Sequence, residues 1–200
     1  NFDELHKLNP PKLFVCATNV KTCEARIFGH EEITAKAILA SACLPYMYDA
    51  VEIDGEFYWD GGYSGNPLIQ PLIDNTVETD DILLIQINPK NIKTVPGKIE
   101  EIRDRVNELS FNSSLLLELR LIQFKQELIN KGITLDGELK PVYLHNISAD
   151  NELGDLNLSS KLNTSWDFMM YLKDLGYKAC DAWIAENFEH IGKKNTLKLV

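Results

Sequence analysis

Two hundred residues, 44% of them apolar, suffice for one sizeable core and argue for a single large domain. The formal charge of −10, from 30 acidic against 20 basic side chains, works against nucleic acid, whose binders neutralise phosphates, and against strong docking on anionic membranes. No apolar run approaches the roughly 20 residues of a bilayer span, and no secretory signal is visible.

After Pro10-Pro11, residues 12–19 (KLFVCATN) are apolar and β-rich, which predicts a buried strand. Residues 24–28 read as its partner, with residues 20–23 as the connection and Gly29-His30 ending the pair. Residues 34–43 (TAKAILASAC) predict a short helix of small residues, packed backbone to backbone and stopped by Pro45. Asp54-Gly55 between residues 51–53 and 57–59 is a strong hairpin signal. Asn66-Pro67 starts a turn or short helix through Ile73.

Further along, residues 81–88 (DILLIQIN) form a continuous apolar run suited to a central strand covered on both faces. Residues 98–131 predict a long helical stretch with Ile99, Ile102, Val106, Leu109, Leu116, Leu119 and Ile122 at helical spacing. Ser110, Asn112, Ser113 and Ser114 interrupt it and suggest a kink or two helices. Residues 141–147 read as another strand. Residues 164–167 (TSWD) look like a capping box opening a helix towards Phe188, broken near Gly176, with Tyr177, Cys180, Ile184 and Phe188 on one face. Strands alternating with helices indicate an α/β layered domain. Residues 150–160 are the one weak boundary, and the chain is kept whole.

The cysteines Cys16, Cys23, Cys43 and Cys180 have no metal spacing and read as free thiols, mostly buried, in a reducing, cytoplasmic setting. Secretion stays open, and so does a disulfide between Cys16 and Cys23 across the first hairpin. His6, His30, His145 and His190 are scattered, with no H-E-x-x-H or paired spacing. His30 reads as loop surface and His145 as a half-buried structural residue. Lys90, Lys93 and Lys98 read as a solvated loop. No metal or organic cofactor is implied.

The most informative feature is Asp60-Gly61-Gly62, after the aromatic run Phe57-Tyr58-Trp59. A carboxylate there sits at a strand end, where glycine lets the backbone turn sharply. Successive amides aimed at the acid would hold it ionised as a proton acceptor. The bland alternative is an Asp-Gly turn. Leu44, Tyr46, Met47, Tyr48, Phe57, Tyr58 and Trp59 form either ordinary core or the wall of an acyl-chain cleft.

Residues 40–45 (ASACLP), the hairpin that delivers Asp60-Gly61-Gly62, and Asn66-Pro67 together resemble the patatin-like phospholipase family, whose signature runs A-S-x-x-x-P, a strand, D-G-G and N-x-P. Residues 107–122 and 160–183 resemble its downstream helices. The resemblance implies a patatin-like layered sheet with flanking helices and an acyl hydrolase with a serine–aspartate dyad acting on lipid or phospholipid. Asp60 would be the dyad base, Gly61 and Gly62 would shape its turn, and Asn66 would pin the loop by side-chain hydrogen bonds.

The family's nucleophile lies in G-x-S-x-G, with a glycine-rich oxyanion loop before it, and neither occurs in these 200 residues. Gly62-Tyr63-Ser64-Gly65-Asn66 ends in asparagine where the elbow requires glycine, so Ser64 reads as a turn residue and Ser41 as helix packing. The expectation is therefore that residues 1–200 are the C-terminal portion of a longer enzyme. Taken alone they would be inert, inclined to self-associate and in transient contact with a lipid surface. Two rivals are an inactive patatin-like scaffold that binds lipid or protein, and an unrelated α/β sugar or nucleotide hydrolase using Asp49, Glu52, Asp54, Glu56 and Asp60.

Overall fold

The computed structural model describes residues 2–7, 11–73, 80–133, 141–148, 153, 156, 160 and 163–197. The chain divides into two compact units, residues 1–71 with 113–118, and residues 72–112 with 119–200. Most of the weak boundary at 150–160 lies outside the described residues. The architecture is mixed α/β, with sheets and flanking helices.

The first unit is built on an antiparallel sheet of β1 (Val15–Asn19), β2 (Ala25–Phe28), β3 (Val51–Ile53) and β4 (Glu56–Asp60), in the order β2-β1-β4-β3. The tight turn between β3 and β4 sets Asp54 and Gly55 at φ of 54° and 82°. That left-handed pair is what an Asp-Gly hairpin supplies. In the β1–β2 connection the Asn19 carboxamide accepts the amides of Lys21 and Thr22. Cys16 pairs in register with Ile27 while Cys23 sits exposed in that turn, so the two do not face each other and all four cysteines are free.

Helix α1 (Phe2–Lys7) precedes the sheet, and α2 (Ala35–Ser41) follows β2. Thr34 caps α2 by accepting the Ala37 amide at 3.1 Å. Ala37 and Ala40 are buried with Ile33, Ala17, Phe28 and Tyr58. Small side chains let the helix backbone lie close to the sheet. Phe28 and Tyr58 meet edge to face at 6.0 Å between centroids. A single helical turn, α3 (Gln70–Ile73), ends this stretch.

In the second unit β5 (Asp81–Gln86) pairs in parallel with β6 (Tyr143–Ser148), from Asp81↔Tyr143 to Gln86↔Ser148. The expected double coverage of this run is not what forms. Ile82 and Leu84 are buried, whereas Leu83 and Ile85 are exposed. Among the described residues β5 has one partner strand and one packed face.

The long helix α4 (Ile99–Asn130) is unbroken through the serine-rich stretch. Its buried positions are Asn107, Phe111, Asn112, Leu115 and Ile122, while Ile99, Ile102, Val106 and Leu109 are exposed. Asn112, read from sequence as an interruption, is a core residue. It accepts from Gln86 and donates to the Pro89 carbonyl. Buried polar groups persist where partners satisfy them.

The last helix, α5 (Trp166–Asn187), starts where expected but without a capping box. Ser165 is its N-cap, so the third helical position is Phe168, which has no group to reach back. The Ser165 amide instead donates to Asn163. The helix also runs straight through Gly176. Tyr177, Ile184 and Phe188, read from sequence as sharing one face, are exposed.

The segment after α5 returns to β6, where Thr196 and Leu197 donate to the Leu144 carbonyl. His145, expected half-buried, is 1% exposed. Its ring bonds Asp81 Oδ1 and Thr196 Oγ1, each at 2.9 Å, and Trp183 lies edge-on at 5.7 Å. Among the described residues no helix is long and apolar enough to cross a membrane.

Candidate active site

The end of β4 is held from two sides. β1 and β4 pair in the register Ala17↔Asp60 and Thr18↔Trp59. Thr18 donates its hydroxyl to the Asp60 carbonyl at 2.8 Å. The Asp60 amide donates to the Cys43 carbonyl, just past α2, also at 2.8 Å. The backbone then turns at once into one turn of 3-10 helix, Gly61–Tyr63, with Asp60 as its N-cap. Asp60 Oδ1 accepts the Gly62 amide at 2.8 Å. A backbone N–H on a carboxylate favours the ionised form.

The two glycines do different jobs. Gly62 supplies the amide that meets the acid. Gly61 is there for space: a Cβ on it would lie 2.2 Å from the Cys16 carbonyl oxygen. Only a residue without a side chain lets β1 pass that close.

Asp60, Gly61, Gly62 and Asn66 all line one cavity of about 260 Å³, whose other walls include Phe14, Val15, Ile27, Leu68 and Ser41. No side-chain hydrogen bond of Asn66 is found among the described residues. The serine hydroxyls are engaged elsewhere. Ser41 donates to the Ile38 carbonyl at 2.8 Å. Ser64 lies 2.9 Å from the Thr18 hydroxyl and 3.2 Å from the Gly61 carbonyl, to which it donates.

The aromatic wall forms differently from expectation. Tyr58 is core, Tyr46 is 86% exposed, and Tyr48 and Phe57 are also exposed. None of the aromatic–apolar group at residues 44–59 lines the cavity around Asp60. The facing carboxylates of a sugar hydrolase are missing too. Asp60 is the one acid among the described lining residues. Asp49, Glu52 and Asp54 are exposed, and Glu56 is taken by Asn19 and Lys21.

Three neighbours register the charge of Asp60. The Tyr63 phenol is pushed up to about 12, by burial first, then by Asp60 and Tyr46. The Cys16 thiol is raised by burial and by Asp60, against a hydrogen bond from Ser64 that lowers it. The Cys43 thiol is raised by burial, Asp60 and Asp49. Cys16 also lines the cavity.

No histidine lines the cavity. His30, read as loop surface, has both ring nitrogens buried without a hydrogen-bond partner among the described residues. Nor do the described residues hold a cluster of three or more metal-ligating side chains. The residue that sequence reasoning missed is Thr18. Its only signal was its place two residues past Cys16 in an alternating strand, and that carries no chemistry until the register with β4 is known.

Residues 18–73 match the family model described as patatin-like phospholipase. The matched stretch is similar to that family. It runs from β1 to the end of α3 and contains Asp60, Gly61, Gly62 and Asn66. Stretches 107–122 and 160–183, where the resemblance was also read, lie outside the match. No curated protein matches the chain.

Proposed function

We propose that the patatin-like segment supplies the base of a lipid acyl hydrolase of phospholipase or esterase type, with Asp60 as the aspartate of a serine–aspartate dyad. The observation that carries this reading is the Asp60 turn. Its carboxylate is met by the Gly62 amide, its backbone is clamped by Cys43 and Thr18, and it lines a largely apolar cavity. A base that works without an imidazole relay depends on such fixed orientation.

In the reaction, Asp60 takes the proton of a serine hydroxyl as that oxygen attacks the ester carbonyl carbon. The proton then goes to the departing alcohol, leaving an acyl-serine that water hydrolyses. The serine comes from polypeptide outside these 200 residues. Ser41 and Ser64 are committed to local carbonyls and Thr18, and the sequence has no G-x-S-x-G. These residues alone therefore lack turnover. The substrate is a lipid or phospholipid met in transient contact with its surface. Exposed apolar side chains such as Tyr46 favour self-association. The free thiols agree with a cytoplasmic setting.

The test is Asp60→Asn in the full-length protein, assayed on a nitrophenyl ester and on phospholipid vesicles. Asparagine caps a helical turn about as well as aspartate, so the fold is retained. We expect kcat/KM to fall by about 10³-fold or more, roughly 4 kcal/mol of transition-state stabilisation. Turnover within tenfold of the parent refutes the assignment. The capping role of Asp60, which needs no catalysis, favours one second reading, an inactive scaffold that binds lipid or protein. That reading requires the full-length sequence to lack G-x-S-x-G and the unmodified protein to be inert.

A further inference from the structure

Helix α4 turns polar side chains inward and apolar ones outward. It buries Asn107 and Asn112, while Ile99, Ile102, Val106, Leu117, Leu121 and Phe124 are between 42% and 65% exposed. At about 100° per residue these six fall within an arc of about 100°, one stripe opposite the buried face. Large apolar side chains left wet along about 39 Å of helix mark an interaction surface.

The spacing of the stripe indicates what covers it. Its intervals are three, four, eleven, four and three residues, the same read from either end. The midpoint falls between Phe111 and Asn112. A two-fold axis there sets two copies of α4 antiparallel. It brings Ile99 against Phe124, Ile102 against Leu121 and Val106 against Leu117, each contact made twice. A two-fold interface requires such self-complementarity, and a lipid surface or an unrelated protein does not.

The same register brings Lys98 of one copy to within about 3 Å, along the axis, of Glu127 of the other. Lys98 lies 3.7 Å from Glu101, and Glu127 accepts from Gln123 at 3.4 Å. Lys98 and Glu127 are both exposed, which leaves them room for a charge across the pair. Arg103 falls opposite Arg120, one like-charge layer that weakens the pairing. A strip about 39 Å long and about 10–12 Å wide gives about 400 Å² per copy, against roughly 800 Å² per partner in a standard interface. The association is therefore reversible.

We propose that the chain forms a two-fold dimer through an antiparallel pair of α4 helices. This does not depend on the hydrolase reading. The test is sedimentation velocity of the full-length protein, where a concentration-dependent dimer with a micromolar Kd is expected. Ile102→Glu and Leu121→Lys should each weaken it about tenfold or more by burying an unpaired charge. The double variant sets the two new charges against each other across the pair and should recover dimerisation to within about threefold of the parent. Within one copy they stand about 28 Å apart, so rescue inside a single helix is excluded. Both positions are exposed and both replacements are good helix formers, so the fold is retained. Arg120→Glu, which removes the like-charge layer without touching the apolar pairs, should tighten the dimer about threefold. A protein that stays monomeric, a double variant no tighter than the single ones, or an Arg120→Glu dimer no tighter than the parent each overturns the proposal. So does binding to phosphatidylglycerol vesicles that Ile102→Glu abolishes while dimerisation is unchanged, which would make a lipid surface the occupant of the stripe.

Discussion

Gly61→Ala tests whether the Asp60 turn depends on the close passage of β1. The added Cβ would sit 2.2 Å from the Cys16 carbonyl oxygen, 2.6 Å from its carbon and 3.0 Å from its Cβ. Two of these are backbone atoms, so no rotamer change relieves the overlap. β1 and the turn must separate by roughly 0.8 Å to reach even a tight contact, an overpacking cost of about 1–3 kcal/mol. That movement also stretches the Thr18–Asp60 and Asp60–Cys43 hydrogen bonds, worth about 1 kcal/mol each. The expected loss is therefore about 3–5 kcal/mol. Gly29→Ala is the matched control, because it changes the unfolded chain in the same way. Gly29 has φ −75° and ψ 173°, and its Cβ would meet only Glu32 Oε2 at 3.8 Å. It should gain about 0.4–1 kcal/mol. Urea unfolding followed by Trp59 fluorescence, with Trp166 and Trp183 replaced by Phe, reads the first unit. A Gly61→Ala stability within about 0.5 kcal/mol of the parent, smaller than any core overpacking cost, would refute the steric argument.

Two further outcomes bear on the charges. Tyr63 keeps its proton to about 12 in the folded protein, whereas an unfolded tyrosine loses it near 10. The unfolded state then binds fewer protons across that window, so stability should decline from about pH 10 to 12 and Tyr63→Phe should remove that decline. Asp60→Asn should lower the Tyr63 value only part of the way, since burial is the larger cause; an unchanged phenolate titration would mean that Asp60 carries no charge beside it. Burial pushes the Asp81 carboxyl up, but the Gly192 amide and His145 outweigh it and hold it below its usual value. Its stabilisation is present above the unfolded value near 4 and lost as pH falls through the lower folded one. Asp81→Asn should remove that acid sensitivity, cost about 1–3 kcal/mol by weakening the partners of His145 and Gly192, and speed hydrogen exchange at Gly192 and Thr196. Unchanged exchange would show that this contact does not hold the C-terminal segment.

Local elements were legible where local chemistry dictates them. Asp54-Gly55 read as a hairpin turn, and the small residues of 34–43 read as a tightly packed helix. The Asp60 turn was legible as a carboxylate before two glycines, and the family match covers that stretch. Elsewhere, inferences from hydrophobic pattern met their limit. The run in β5 was read as doubly covered, because a pattern reports what a side chain prefers and not whether a neighbour arrives. In α4 the serines and Asn112 read as a break, yet Asn112 is buried against Gln86 and Pro89, partners found only in the folded chain.

Sequence by itself determined the strand–helix alternation, the hairpin and the glycine-flanked acid, since these depend on backbone preferences of neighbouring residues. Tertiary structure alone decided that Thr18 and Cys43 clamp Asp60 and that Gly61 is glycine because β1 passes beside it. It also decided that Asp81, His145 and Thr196 join, although 64 and 51 residues separate the histidine from its two partners. Those facts arise from strand register and packing, which bring distant residues within hydrogen-bond reach and leave no trace in the spacing along the chain.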